Sequence, residues 1–163
     1  MARVYIGMGS NIEPERNIRR GIQSMQERFG ELLLSPVYES EPVGFTGDNF
    51  YNLVIGFDSN ETYREIAAAL YEIEAMFGRN RNNGRLSSRT LDLDLLLYDD
   101  LVIKEGNLQL PRGDVTEYAF VLQPLAELAG DQLHPEIKRT YRDLWNSFDR
   151  SGQMLWRINL DLD

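Results

Sequence analysis

Two aspartates stand two positions apart in an otherwise apolar run, Leu91-Asp92-Leu93-Asp94-Leu95-Leu96-Leu97, and this pattern leaves the local backbone few solutions. In a β-strand successive side chains alternate between faces at about 3.3 Å rise per residue, which puts Asp92 and Asp94 on one face, roughly 6.6 Å apart at Cα. Leu91, Leu93 and Leu95 then take the other face and anchor the strand in a core. Aspartate is disfavoured in strands, so two of them among leucines point to a task rather than to stability. A carboxylate pair at this spacing suits hard cations such as Mg²⁺, which take oxygen ligands and bridge to substrate phosphates. The competing reading is the solvated side of an amphipathic strand.

Immediately upstream, residues 79–89 carry four arginines, Arg79, Arg81, Arg85 and Arg89, in a chain whose net charge is −9. Guanidinium forks match phosphate oxygens with charge-assisted hydrogen bonds, and the Asn83-Gly84 step favours a turn. Taken alone, the segment also reads as a solvated polar loop that offsets nearby acids. Beside the aspartate pair it suggests more, because a triphosphate in transfer needs cations on both sides. The acidic balance argues against a nucleic-acid or anionic-membrane surface. No apolar run approaches the roughly 20 residues of a membrane helix. Met1 to Gly7 alternates like a first strand and lacks the apolar core of a secretory leader. Without cysteine the chain has no disulfide, thiolate metal site or cysteine nucleophile, which fits a cytoplasmic protein. No G-x-x-x-x-G-K-[ST] occurs, and Gly7-Met8-Gly9 lacks the third glycine of a dinucleotide fingerprint. His134, in Leu133-His134-Pro135, has no partner at ligand spacing and is expected to be structural.

Along the chain, alternation predicts a strand over Val4 to Met8, ended by Gly9-Ser10-Asn11. Ile18, Ile22, Met25 and Phe29 recur at helical spacing from Pro14 until Gly30. Leu32 to Tyr38 is a second strand, placed at an edge or bulged by Pro36, and Phe50 to Phe57 a third. Thr62 with Glu65 forms a capping box for a helix over Tyr63 to Phe77. With the aspartate strand the order is β-α-β-β-α-β, a ferredoxin-like α+β sandwich, expected as two layers: helices packed on an antiparallel sheet. The remainder holds short extended pieces near Val102 and Leu108, a helix over Glu117 to Leu128 interrupted by Pro124, a helix over Tyr141 to Phe148 and a strand within Met154 to Leu160. Residues 1–163 read as a single domain.

The run Ser88-Arg89-Thr90-Leu91-Asp92-Leu93-Asp94-Leu95-Leu96 resembles the signature of the 6-hydroxymethyl-7,8-dihydropterin pyrophosphokinase family. Tyr5 to Asn11, Tyr38 to Gly44, Phe50-Tyr51-Asn52, Ala119 to Glu127 and Leu133-His134-Pro135 are similar to further family segments, so the resemblance extends to about Leu144. It implies a ferredoxin-like fold and transfer of pyrophosphate from ATP to a pterin alcohol in folate biosynthesis. It also implies two Mg²⁺ ions held by Asp92 and Asp94, and phosphate-binding Arg79 and Arg89, with Arg81 and Arg85 in a catalytic loop. Phe50 and Phe120 would sandwich the pterin ring. Asn52, with the loop around Ser40 and Val43, would read its edge, and Glu74 would lie on the ATP side. Three positions depart from the family pattern: Arg112 stands where many members have histidine, Leu86-Ser87-Ser88 replaces Trp-Gly-Pro, and Tyr118 replaces arginine. The expected partners are small molecules, ATP and the pterin alcohol, with the chain a monomer or weak homodimer, and a catalytically weak pterin- or nucleotide-binding homologue is the alternative.

Overall fold

The computed structural model of the chain describes residues 1–78 and 90–162. Its frame is a six-stranded antiparallel sheet. Strands β1 (Ala2–Ser10), β4 (Phe50–Ser59) and β5 (Asp92–Tyr98) form its centre and one edge, and β3 (Val37–Ser40) and β8 (Leu155–Ile158) continue the other side in the order β5-β1-β4-β3-β8. The two-residue β2 (Leu33–Leu34) also pairs with β4. The expected second strand is therefore split at Ser35-Pro36. Proline has no N–H for the ladder, and Ser35 fills the gap: its amide donates to Val54 O at 3.0 Å and its Oγ accepts from Val54 N at 2.8 Å. Nor is β3 the edge that Pro36 suggested, because β8 covers it from Val37↔Ile158 to Ser40↔Leu155.

Helix α1 (Pro14–Phe29) starts on Pro14 and ends at Gly30, whose φ of 87° is a left-handed conformation that would strain any other residue. Helix α2 (Tyr63–Met76) has the expected capping box, with Glu65 N donating to Thr62 Oγ1 and Thr62 N to Glu65 Oε1. Both helices cover one face of the sheet, where Ile18, Ile22, Met25, Ile66, Leu70 and Ile73 pack on Ile6, Met8, Leu53, Ile55, Leu93 and Leu95.

The opposite face is also covered, so the sandwich has three layers where two were expected. Tyr5, Val54, Leu96 and Leu97 meet Val121, Leu122 and Leu125 of α4 (Ala119–Ala129) and Tyr141 of α5 (Tyr141–Asn146). The physical reason is that the central strands are apolar at successive positions, as in Leu53-Val54-Ile55 and Leu95-Leu96-Leu97, which leaves two faces to bury. Pro124 lies inside α4 without ending it. A hairpin, β6 (Ile103–Glu105) with β7 (Leu108–Leu110), and the short α3 (Asp114–Glu117) link β5 to α4. No described helix is long and apolar enough to cross a membrane.

Tyr141 is fully buried, and its hydroxyl finds no hydrogen-bond partner among the described residues. Burial pushes the phenol pKa up. Because an unsatisfied buried hydroxyl is destabilising, Tyr141→Phe is expected to raise stability by about 1 kcal/mol. Thermal unfolding would show this as a rise of about 3 °C in Tm. His134 is structural, as expected: its Nδ1 accepts from the amides of Glu136 and Ile137 at 3.2 Å each, and burial lowers its pKa.

Candidate active site

Antiparallel register sets the site. One row across the sheet runs Asp92, Gly9, Asn52, Tyr38, and the next runs Asp94, Gly7, Val54. Directly paired residues share a face, so both aspartates and Asn52 look out on the α4 side. The two glycines between them keep that floor bare. A Cβ on Gly9 would stand 2.9 Å from Asn52 Oδ1, so a side chain there would displace the amide. Leu91, Leu93 and Leu95 are buried on the other face, as the alternation predicts.

A cleft of about 710 Å³ opens over this floor, a size typical of small-molecule sites. Its two ends differ. At one end lie Ser40, Val43, Phe45, Phe50, Asn52, Tyr118 and Phe120; at the other, Ala67, Leu70 and Tyr71 of α2 and Glu105, Asn107 and Leu108 of the hairpin. Asp92, Asp94, Arg112 and Asp114 line it as well. Asn52 Nδ2 donates to Ser40 Oγ at 2.8 Å, which fixes the amide plane. Phe45 meets Phe50 edge-on at 6.1 Å, and Tyr118 stacks on Phe120 at 5.1 Å. The aromatic walls are thus buttressed by Phe45, which sequence reasoning did not single out, and by Tyr118, which it noted only as a departure from the family pattern.

Several supports lie far away in sequence. Asn11 Nδ2 donates to Asp48 O, and Asn49 Nδ2 to Glu39 Oε2, which ties down the loop that carries Val43 and Phe45. Gln153 Oε1 accepts from Ala119 N at 2.8 Å while its Nε2 donates to Glu117 O, clamping the start of α4 next to Phe120. Residues beyond Leu144 showed no motif, yet this segment holds both Ser40, through β8, and Phe120.

Glu74, expected on the ATP side, is 2% exposed and is not among the described residues that line the cleft; its Oε2 accepts from Leu93 N at 2.8 Å. It braces the edge strand between the two aspartates. Arg79, Arg81, Arg85 and Arg89, with Leu86-Ser87-Ser88, lie outside the described residues.

The electrostatics are lopsided. Burial first, then Asp92, push the Asp94 carboxyl up to about 7; Arg112 pulls it down, while Asp114 and Glu74 add to the rise. Arg112 NH2 lies 3.4 Å from Asp94 Oδ1 and its Nε 3.4 Å from Asp114 Oδ2. Among the described residues no three His, Cys, Asp or Glu side chains converge on one metal position. Among the described lining residues acids outnumber the single arginine, and two such carboxylates fit a cation that is bound mainly through substrate phosphates and water, as Mg²⁺ usually is. They do not form an all-protein cage.

A family model described as 7,8-dihydro-6-hydroxymethylpterin-pyrophosphokinase (HPPK) matches residues 5–130, well over half of the chain. The 2-amino-4-hydroxy-6-hydroxymethyldihydropteridine pyrophosphokinase of Pseudomonas aeruginosa is 38% identical over 139 residues, which cover 82% of this chain and 85% of that protein. The protein of the same name from Aquifex aeolicus is 30% identical over 145 residues, covering 88% and 90%. Among solved structures, wild-type HPPK-DHPS of Plasmodium falciparum aligns with 90% of this chain at a TM-score of 0.68 and 15% identity, a likeness of fold. This chain spans 43% of that longer one. The matched span holds every residue that lines the cleft, and the chain belongs to the 7,8-dihydro-6-hydroxymethylpterin-pyrophosphokinase family.

Proposed function

We propose that this chain is an Mg²⁺-dependent pyrophosphokinase that transfers the pyrophosphoryl group of ATP to 6-hydroxymethyl-7,8-dihydropterin, a cytoplasmic step of folate biosynthesis carried by one domain over residues 1–163. The observation that carries the reading is the sheet row Asp92, Gly9, Asn52, which sets a carboxylate pair beside an amide in one aromatic-walled cleft. The family relatives bear the name of this activity.

The placement of the side chains supports a role for each. Phe50 and Phe120 would take the flat pterin between their faces, since offset aromatic contacts add energy beyond area burial. Asn52 would read the ring's polar edge together with Ser40 and the backbone near Val43. Asp92 and Asp94 would hold two Mg²⁺ ions, which when bound neutralise and align the triphosphate. Arg112 would contact phosphate from the opposite side, and Arg79, Arg81, Arg85 and Arg89 are proposed phosphate ligands from the loop ahead of β5. The α2 and hairpin end of the cleft is left for the rest of the nucleotide. The pterin hydroxyl oxygen would then attack the β-phosphorus and release its proton to solvent, the bond from the β-phosphorus to the α-side bridging oxygen would break, and AMP would leave. The chain need not supply a covalent nucleophile; it would hold the two reactants in line.

Incubation of the protein with ATP, Mg²⁺ and the pterin alcohol should give AMP and the pterin diphosphate in equal amounts, and excess EDTA should abolish both. Pterin binding without AMP would instead identify a catalytically weak binding homologue.

A further inference from the structure

Arg112 is anchored through its backbone but loosely held at its guanidinium. The register between β1 and β5 shifts by one between Tyr5 and Ile6, leaving Leu96 as the extra residue of a bulge just past Asp94. The Leu96 carbonyl accepts the Arg112 amide at 3.0 Å. A bulge bends its strand and re-aims the groups beside it, and here the arginine lies beside Asp94. Both ion-pair distances, 3.4 Å to Asp94 and 3.4 Å to Asp114, exceed the roughly 2.8 Å of a charge-assisted hydrogen bond. The buried Nε makes no hydrogen bond among the described residues. A guanidinium locked for structure is short and bidentate; this one balances charge without being locked.

We propose that Arg112 is a tethered counter-ion, which neutralises Asp94 before substrate arrives, competes there with the divalent cation, and turns to phosphate oxygens when the cation-bearing nucleotide enters. The entering phosphates rest on the pyrophosphokinase reading; the competition does not. A monovalent guanidinium and a divalent cation seek the same Asp94 oxygens, and each raises the energy of the other at this separation. Nucleotide-free protein therefore binds cation weakly, and cation and nucleotide load together.

The test is Mn²⁺ titration of nucleotide-free protein, with free Mn²⁺ read by electron paramagnetic resonance, for wild type, Arg112→Gln and Arg112→Lys. Arg112→Gln should bind Mn²⁺ about tenfold more tightly than wild type, the effect of one nearby charge, and Arg112→Lys should stay near wild type. At saturating Mn²⁺ the KM for ATP of Arg112→Gln should rise. Equal or weaker Mn²⁺ binding by Arg112→Gln overturns the competition, and so does undetectable binding to both proteins. Failure of the pyrophosphokinase reading would appear separately, as wild-type protein that binds Mn²⁺ yet forms no AMP.

Discussion

Asp94→Asn should lower AMP formation roughly a thousandfold, the size of losing a charge aimed at the transition state, while making the cation-free protein more stable at pH 8. The activity arm rests on the position of Asp94: it faces the cleft with Gly7 opposite, so Asp92 is the one other carboxylate which that strand pair offers the cleft. Asparagine keeps the shape and one oxygen but not the charge. Unchanged turnover in this variant would remove Asp94 from the proposed cation site.

The stability arm rests on the sign of its pKa shift. Asp94 is raised in the fold from the ordinary aspartate value to about 7, mainly by burial and next by Asp92. A group with a raised folded pKa contributes stability that is fully present below its unfolded pKa and is lost as pH climbs through the folded one. Wild type should therefore weaken between about pH 4 and pH 7, and Asp94→Asn should not show that slope. The full shift corresponds to about 4 kcal/mol. The side chain keeps 20% of its exposure and asparagine forfeits the Arg112 attraction, so a net gain of about 2 kcal/mol is expected above pH 7. Urea unfolding in EDTA at pH 4 and pH 8 checks this: near-equal midpoints at pH 4 and a higher one for the variant at pH 8. A lower midpoint at pH 8 would mean that the pair with Arg112 outweighs burial.

The strands and helices were legible where a local rule decides them. Gly30 ends α1, Thr62 and Glu65 begin α2, and the alternation around Asp92 and Asp94 predicts both their shared face and the buried leucines. The illegible features depend on partners distant in sequence. Glu74 looks like any acid on an amphipathic helix until Leu93 N is seen 2.8 Å away, nineteen positions on. Pro36 correctly signals an interrupted ladder, but whether β3 ends the sheet is decided by β8, more than a hundred residues later. The helices on the second face carry apolar stripes that indicate burial without saying against what. Phe45 and Gln153 sit in loops and Asp114 opens the four-residue α3, where no periodicity marks them, and their contacts appear only when the sheet brings these segments together.

Asn52→Ala should raise the KM for the pterin about a hundredfold and leave the KM for ATP unchanged. The amide is 5% exposed, with one N–H donated to Ser40 Oγ, and Gly9 leaves open the space beside its Oδ1. Behind it, the cross-strand neighbour Tyr38 donates its hydroxyl to Glu127 and accepts from Gln123 Nε2, so the row is braced from α4 and cannot easily re-aim. A fixed amide offers donor and acceptor side by side, the pattern that a pterin's edge presents in complement. Its removal leaves polar ring atoms facing an apolar methyl, and two such lost hydrogen bonds amount to about 2–3 kcal/mol, or roughly a hundredfold in affinity. The end proposed for the nucleotide lies against α2 and the hairpin and should not sense the change. Steady-state kinetics with each substrate varied in turn decides the matter. A raised KM for ATP with an unchanged pterin KM would put the flat substrate at the other end of the cleft and reverse the assignment of Phe50 and Phe120.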